Sequence, residues 1–473
     1  LTWPSLKTGV PGLDAVLGGG LGDASLNLLS GPPGVGKTVM AQQVVYSGAT
    51  EERPALYFTT TTEPLEKVIA HVQGFAFFRR ELVGRAVQYH CLGETLSLGG
   101  LTRVLEALRA ELTRTFPAYL VIDSFRAFRD FAPSQHDLAV FLHELAGTLS
   151  AVRCLTLLLD ESPLPEVMGS PAAAIVDGII HLQASGSGRS DRRCVQVIKL
   201  RGSGYLPGLH LFSVDARGVT VYPRLASLVP DPTGATCDGL RPSGIPGLDL
   251  ALGGGLPSSG VAVVSGCPGA GKTALGLSWV LAGAASGEPG VFASTHDYPA
   301  RLRRTGPAFG SDVGRLEHSG LLRFLYVPPL DVEVDRVGLE LLRTVENLGA
   351  RRVVLDAVTD LETAVIPPDE YQGFIYALSH LLCQRGATVL FTASASGSEE
   401  DACLGRLPAA RLADVLMRVE SRLTQSGIYR VLRVVKARSG ETTGIPHPLH
   451  IVPGRGVIVG PAEKPAAGEG TAP

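Results

Sequence analysis

The segment GPPGVGKT, Gly31 to Thr38, returns as GCPGAGKT, Gly266 to Thr273, 235 positions later (266 − 31). Other pieces keep that offset. Gly12-Leu13-Asp14 pairs with Gly247-Leu248-Asp249, and Leu17-Gly18-Gly19-Gly20-Leu21 with Leu252-Gly253-Gly254-Gly255-Leu256. Self-similarity of this kind in a chain of 473 residues means one folding unit written twice. Each copy, at roughly 200 residues or more, is long enough to bury its own core. Copy one is placed over residues 1–228 and copy two over 239–460. A proline-containing linker of little periodicity, 229–238, separates them, and an Ala-, Gly- and Pro-rich tail over 461–473 reads as disordered.

The bulk properties exclude more than they assign. A formal net charge of −3 offers no electrostatic case for nucleic acid or an anionic membrane. The seven cysteines are scattered and form no CxxC, so neither a zinc module nor a disulfide framework is indicated. Reduced thiols fit a cytoplasmic setting. No apolar run reaches membrane-spanning length, and Leu1 to Lys7 do not read as a signal peptide.

Copy one alternates strand and helix. Ser25–Ser30, Ala55–Thr59, Tyr119–Asp123 and Leu155–Asp160 read as buried strands. Lys37–Ser47, Glu63–Phe75, Leu101–Thr113 and Asp137–Ser150 read as helices. That rhythm implies an α/β fold, a mostly parallel sheet covered on both faces. After Ile175 the pattern changes to consecutive strands, Ile175–Gln183, Arg193–Lys199, Leu209–Val214 and Gly218–Tyr222, which implies an antiparallel extension. Copy two repeats the order, with Gly260–Ser265, Gly290–Ser294, Arg352–Asp356 and Thr388–Thr392 followed by Asp414–Ser421, Ile428–Lys436 and Leu449–Val452.

Both repeated loops match GxxxxGK[ST] between a strand and a helix. Copy one supplies Gly31, Pro32, Pro33, Gly34, Val35, Gly36, Lys37 and Thr38. Copy two supplies Gly266, Cys267, Pro268, Gly269, Ala270, Gly271, Lys272 and Thr273. The glycines let backbone N–H groups turn toward a β-phosphate. The lysine bridges β- and γ-phosphates, and the threonine hydroxyl ligates Mg²⁺, so ATP and magnesium are the expected ligands. A strand-end aspartate supporting the metal is expected downstream. Asp123 in YLVIDS and Asp356 in RVVLDA fit, at an offset of 233 (356 − 123). Lys199 and Arg201 in IKLRGS recur as Lys436 and Arg438 in VKARSG. Two cations at i and i+2 on a strand share a face and can clamp a phosphate brought from elsewhere. No anion in cis is apparent for them.

An opening GLD…GGGL segment, a phosphate loop, a strand-end Asp and a KLRG motif, repeated twice, resemble the KaiC family within the RecA-like ATPases. The resemblance covers about Thr8 to Pro461. It implies two tandem RecA-like lobes stacked as two rings of six chains, with ATP between neighbours. Lys199 and Arg201, and likewise Lys436 and Arg438, would then reach a neighbour's γ-phosphate. The family carries two adjacent glutamates after the second strand, one of which polarises the attacking water. Here copy one has Thr61 and Thr62 at that place, with Glu63 one residue beyond, and copy two has His296 and Asp297. A threonine hydroxyl is no base near neutral pH, and losing a general base costs about 10²–10⁴ in rate. Copy one is therefore expected to hold ATP, and copy two to turn it over slowly through Asp297 or His296. The autophosphorylated Ser–Thr pair of the family's clock member corresponds to Ala410 and Arg411, so autokinase activity is not implied.

The first functional reading is a weakly hydrolysing, ring-forming switch for a protein partner. A nucleotide-locked scaffold without turnover is a second. A DNA-acting ATPase is a third. Its support is Ser124–Phe131, where Arg126 and Arg129 interleave with Phe125 and Phe128. Against it stand the net charge and the absence of any cation from Ser162 to Ala173.

Overall fold

The computed structural model describes residues 4–60, 65–187, 190–230, 239–328, 333–362, 368–394, 408–424, 427–438 and 444–462. Thr61, Thr62 and Glu63, most of the expected linker and most of the expected tail lie outside these residues. The chain divides into two compact units, Leu1–Ser227 and Leu228–Pro473.

Each unit is built on a nine-stranded mixed sheet. In unit one the order across the sheet is Gly218–Tyr222, His210–Asp215, Ser190–Leu200, Gly178–Ser187, Leu26–Ser30, Leu155–Asp160, Tyr119–Asp123, Ala55–Thr59 and Val87–Cys91. From Gly178–Ser187 to Val87–Cys91 the strands run parallel, and the other three are antiparallel. Unit two repeats this order, from Gly456–Val459 to Leu322–Tyr326, with Val261–Gly266 as the counterpart of Leu26–Ser30. The α/β architecture with an antiparallel extension is thus as the sequence implies.

Leu26–Ser30 and Ala55–Thr59 are buried at every position, as parallel strands covered on both faces must be. Along the neighbouring strand the side chains alternate. Leu155, Leu157 and Leu159 join the core containing Met40, Ala41, Val44 and Val45 of the helix Lys37–Gly48. Cys154 and Leu158 join the opposite core, with Leu108, Leu142 and Leu145. This alternation decides which strand-end side chains face the phosphate loop.

Two differences from the sequence reading stand out. The edge strands Val87–Cys91 and Leu322–Tyr326 carry mixed, partly exposed residues and give no apolar run. The helix expected at Leu101–Thr113 begins earlier, at Gly93, with Gly100 non-helical inside it (φ 59, ψ −159). The repeated Gly-Leu-Asp has a structural role. A Cβ on Gly12 would stand 2.0 Å from the Val221 carbonyl oxygen, and one on Gly247 would stand 1.9 Å from that of Val459. Asp14 and Asp249 accept the backbone N–H of Thr8 (2.9 Å) and Ser243 (2.8 Å), stapling the opening loop.

Candidate functional site

In both units the central strand ends in the glycine-rich loop, which opens the next helix at its lysine, Lys37 or Lys272. Gly31 passes so close to the adjacent strand that a Cβ would lie 2.2 Å from the Leu182 carbonyl oxygen. Gly266 meets Val419 at the same distance. Lys37 Nζ donates to the carbonyls of Gly31 (2.7 Å) and Pro32 (3.0 Å), and Lys272 Nζ to those of Gly266 (2.8 Å) and Cys267 (3.0 Å). Burial pushes both ammonium groups below their ordinary range. Glu161, then Asp123 and Asp160, pull Lys37 back, while Asp356, Cys267 and Asp360 pull Lys272 back.

Thr38 donates to Asp123 Oδ2 and Thr273 to Asp356 Oδ2, each at 2.9 Å. The loop threonine and the strand-end aspartate thus meet in both copies, although 85 and 83 positions separate them in sequence. Their supports differ. Tyr57 donates its hydroxyl to Asp123 (2.8 Å), whereas Thr392, from a different strand, donates to Asp356. Burial raises both carboxyls, and these hydrogen bonds oppose it. Tyr57 and Thr392 escape a motif reading. Their only signal is their register, since Thr59 lies opposite Asp123 and Tyr57 is two residues back on the same face.

The cation pairs lie elsewhere. Lys199 is in its strand and Arg201 one residue past its end, and both reach the Ala174 carbonyl, at 3.2 and 2.9 Å. In copy two Lys436 donates to the Ala413 carbonyl at 2.6 Å. The expectation of no anion in cis is corrected: Arg201 stands 3.7 Å from Asp177, and Arg438 3.0 Å from Asp414. The reason is topological. Each cation-bearing strand runs antiparallel to the strand that follows the aspartate, which brings its end back to that residue. Asp177 and Asp414 also accept the backbone N–H of Leu26 (3.0 Å) and Val261 (2.9 Å), at the start of the strand whose far end is the phosphate loop. Five residues at about 3.3 Å each put about 16 Å between a unit's loop and its own cation pair, beyond the reach of either side chain.

His296 Nε2 lies 2.8 Å from Asp360 Oδ2, with its side chain 65% exposed. Asp297 Oδ1 lies 3.2 Å from Arg301 Nε, and its charge helps raise the Asp356 carboxyl. Both backbone N–H groups donate to Ser294 Oγ. The aromatics proposed to stack on bases are instead core residues. Phe125 and Phe128 are fully buried, while Arg129 pairs with Asp160 (3.1 Å) and Glu166 (2.6 Å). Of that segment's aromatics only Phe131, at the end of the helix Arg126–Phe131, is exposed. Ala410 is buried in the short helix Pro408–Leu412, which Arg411 shares.

Two strand–loop–helix units, each pairing the loop threonine with a strand-end aspartate, define a tandem P-loop nucleotide-binding architecture. The family model for the KaiC ATPase matches residues 6–226 and, a second time, 241–464. The chain belongs to the KaiC ATPase family. It is similar to the circadian clock oscillator protein KaiC of Parathermosynechococcus lividus, at 24% identity over 405 residues, covering 82% of this chain and 73% of that protein. It is also similar to the circadian clock oscillator protein KaiC of Parasynechococcus marenigrum (strain WH8102), at 22% over 454 residues, covering 92% and 86%. No described helix is long and apolar enough to cross a membrane.

Proposed function

We propose that both copies bind Mg-ATP, that the chain assembles through its nucleotides into a ring, and that slow hydrolysis makes the ring a switch for a protein partner. The observation that carries this reading is the placement of loop and cation pair at opposite ends of the same central strand, in both units. A cation pair that cannot reach its own loop would serve the phosphate of a neighbouring chain. Six chains is the number that the family resemblance implies. One carboxylate and one hydroxyl per site suit magnesium that arrives with phosphate oxygens and keeps waters, and no described group of three or more His, Cys, Asp or Glu makes an all-protein cage. When bound, the ion would neutralise charge on the phosphates. Thr38 and Asp123, or Thr273 and Asp356, would hold it, and Lys37 or Lys272 would leave its carbonyls for the phosphate. In copy two, Asp297 would orient water.

The test is the mass of the purified chain with and without Mg-ATP, together with its retained nucleotide. Lys37→Ala and Lys272→Ala should each remove about one nucleotide per chain, since each deletes a cation aimed at phosphate. Lys199→Ala with Arg201→Ala should weaken assembly in ATP without unfolding the chain. Full nucleotide content in the double lysine variant would sink the proposal. In a chain with copy one emptied by Lys37→Ala, Asp297→Asn should lower turnover about tenfold or more at unchanged nucleotide content.

A further inference from the structure

We propose that copy one carries its own water-activating carboxylate, Glu161, supplied by a different strand from the one on which the family places its glutamates. The inference rests on reading copy one as an ATP site.

Leu155–Asp160 lies between the phosphate-loop strand and the Asp123 strand. Ser30 pairs with Asp160, and Asp123 with Leu159. In copy two Ser265 pairs with Ala393, and the first loop glycine, Gly266, pairs with Ser394. By the same register Glu161 stands beside Gly31, over the interval between Lys37 and Asp123. The alternation along the strand sets its direction. Leu155, Leu157 and Leu159 face the helix that Lys37 opens, and Glu161 continues that set. Asp160 turns to the other face, where it is buried against Arg129 and accepts the Ser162 N–H (3.0 Å). Glu161 is the foremost carboxylate acting on Lys37, ahead of Asp123, and it also acts on Asp123. It is half-buried.

The Ala55–Thr59 strand, which leads to Thr61 and Thr62, flanks Asp123 on one side, and the Glu161 strand flanks it on the other. A carboxylate arriving from that second side does the work the threonines cannot. The water oxygen bonds to the γ-phosphorus as the bond to the β,γ-bridging oxygen breaks, and that electron pair leaves with ADP. The water's proton passes to the Glu161 carboxylate and then to the released phosphate. Copy two has Ser394 and Ala393 at the corresponding positions and so lacks this group.

The experiment uses the full chain with copy two emptied by Lys272→Ala. That variant should keep about one nucleotide per chain and hydrolyse it. Adding Glu161→Gln should leave nucleotide content unchanged, cut turnover about 10²-fold, and shift the retained nucleotide from ADP to ATP. Unchanged turnover with nucleotide still bound overturns the role of Glu161 and leaves the binding proposal standing. Loss of the nucleotide on adding Glu161→Gln makes Glu161 a binding group and also overturns the role. No nucleotide in Lys272→Ala itself sinks the binding proposal and the inference with it. Should Glu161→Gln not fold, Ser394→Glu in a Lys37→Ala chain decides: a rise in copy-two turnover of about tenfold supports the assignment, and no rise overturns it.

Discussion

Arg352 is a cation inside a hydrophobic unit, 4% exposed at the start of the Asp356 strand. Its guanidinium donates to the carbonyls of Pro242 (2.9 Å), Ser243 (2.7 Å) and Trp279 (2.8 Å) and to Glu288 (2.8 Å), and it stands 5.3 Å from the Trp279 ring centroid. Burial lowers its pKa and Glu288 counters that. Each of its three nitrogens has a partner, so the planar fork ties the opening loop of copy two to its sheet. Arg352→Met should destabilise copy two by about 3–5 kcal/mol in chemical denaturation, because it leaves Glu288 and three carbonyls short of a donor. Arg352→Lys should not restore it, since a single ammonium cannot span the fork. A loss below about 1 kcal/mol would show that the carbonyls find other partners. Nothing in the sequence marks this arginine, whose carbonyl partners lie up to 110 positions away. Lys37, Thr38 and Asp123 were legible because their chemistry fixes residue type and spacing together. Glu161, Tyr57 and Thr392 were not, because only strand register brings them to the site.

At the scale of elements, the parallel strands were legible because burial on both faces leaves uninterrupted apolar runs. Val87–Cys91 and Leu322–Tyr326, at the parallel edge of each sheet, were not, since one open side admits polar residues and removes the run. Cys91 and Cys154 measure this contrast. Cys154 is fully buried just before the strand Leu155–Asp160, and burial pushes its thiol up to about 12. Cys91 ends the edge strand and is exposed. Iodoacetamide at pH 8 on the native protein should label Cys91 and leave Cys154 at least about tenfold less modified by peptide mass spectrometry, until denaturant is added. Equal labelling of the two in native buffer would mean that the sheet centre opens as readily as its edge.

At the scale of the molecule, the repeat itself was the most legible property, and the differences between its copies the least. Unit one encloses two histidines. His210 Nε2 donates to the Leu206 carbonyl (3.1 Å) while its Nδ1 accepts the Arg224 N–H (2.9 Å), and His181 Nδ1 meets Ser30 Oγ (2.9 Å). Burial holds both below the ordinary 6.5. A folded pKa below the unfolded one means that the unfolded chain binds more protons between the two values. The stability these groups contribute is therefore full above pH 6.5 and is lost as pH falls through the folded values. The melting temperature should drop on acidification below pH 6.5, by about 2–4 °C for each kcal/mol lost, and His210→Gln should flatten the slope. An identical slope in the variant would place the acid sensitivity elsewhere.

Under the proposed function, the resting contacts of the cations assigned to phosphate have a consequence for how the molecule would answer a ligand. Lys37 and Lys272 are moored to neutral carbonyls of their own loops, and Arg201 to Asp177 with 57% of its side chain in water. An exposed ion pair of that kind holds by about 0–1 kcal/mol. An incoming phosphate therefore meets berths already occupied but lightly tied. Binding is an exchange of moorings, and the aspartate left behind still has the N–H of Leu26 to keep it in place.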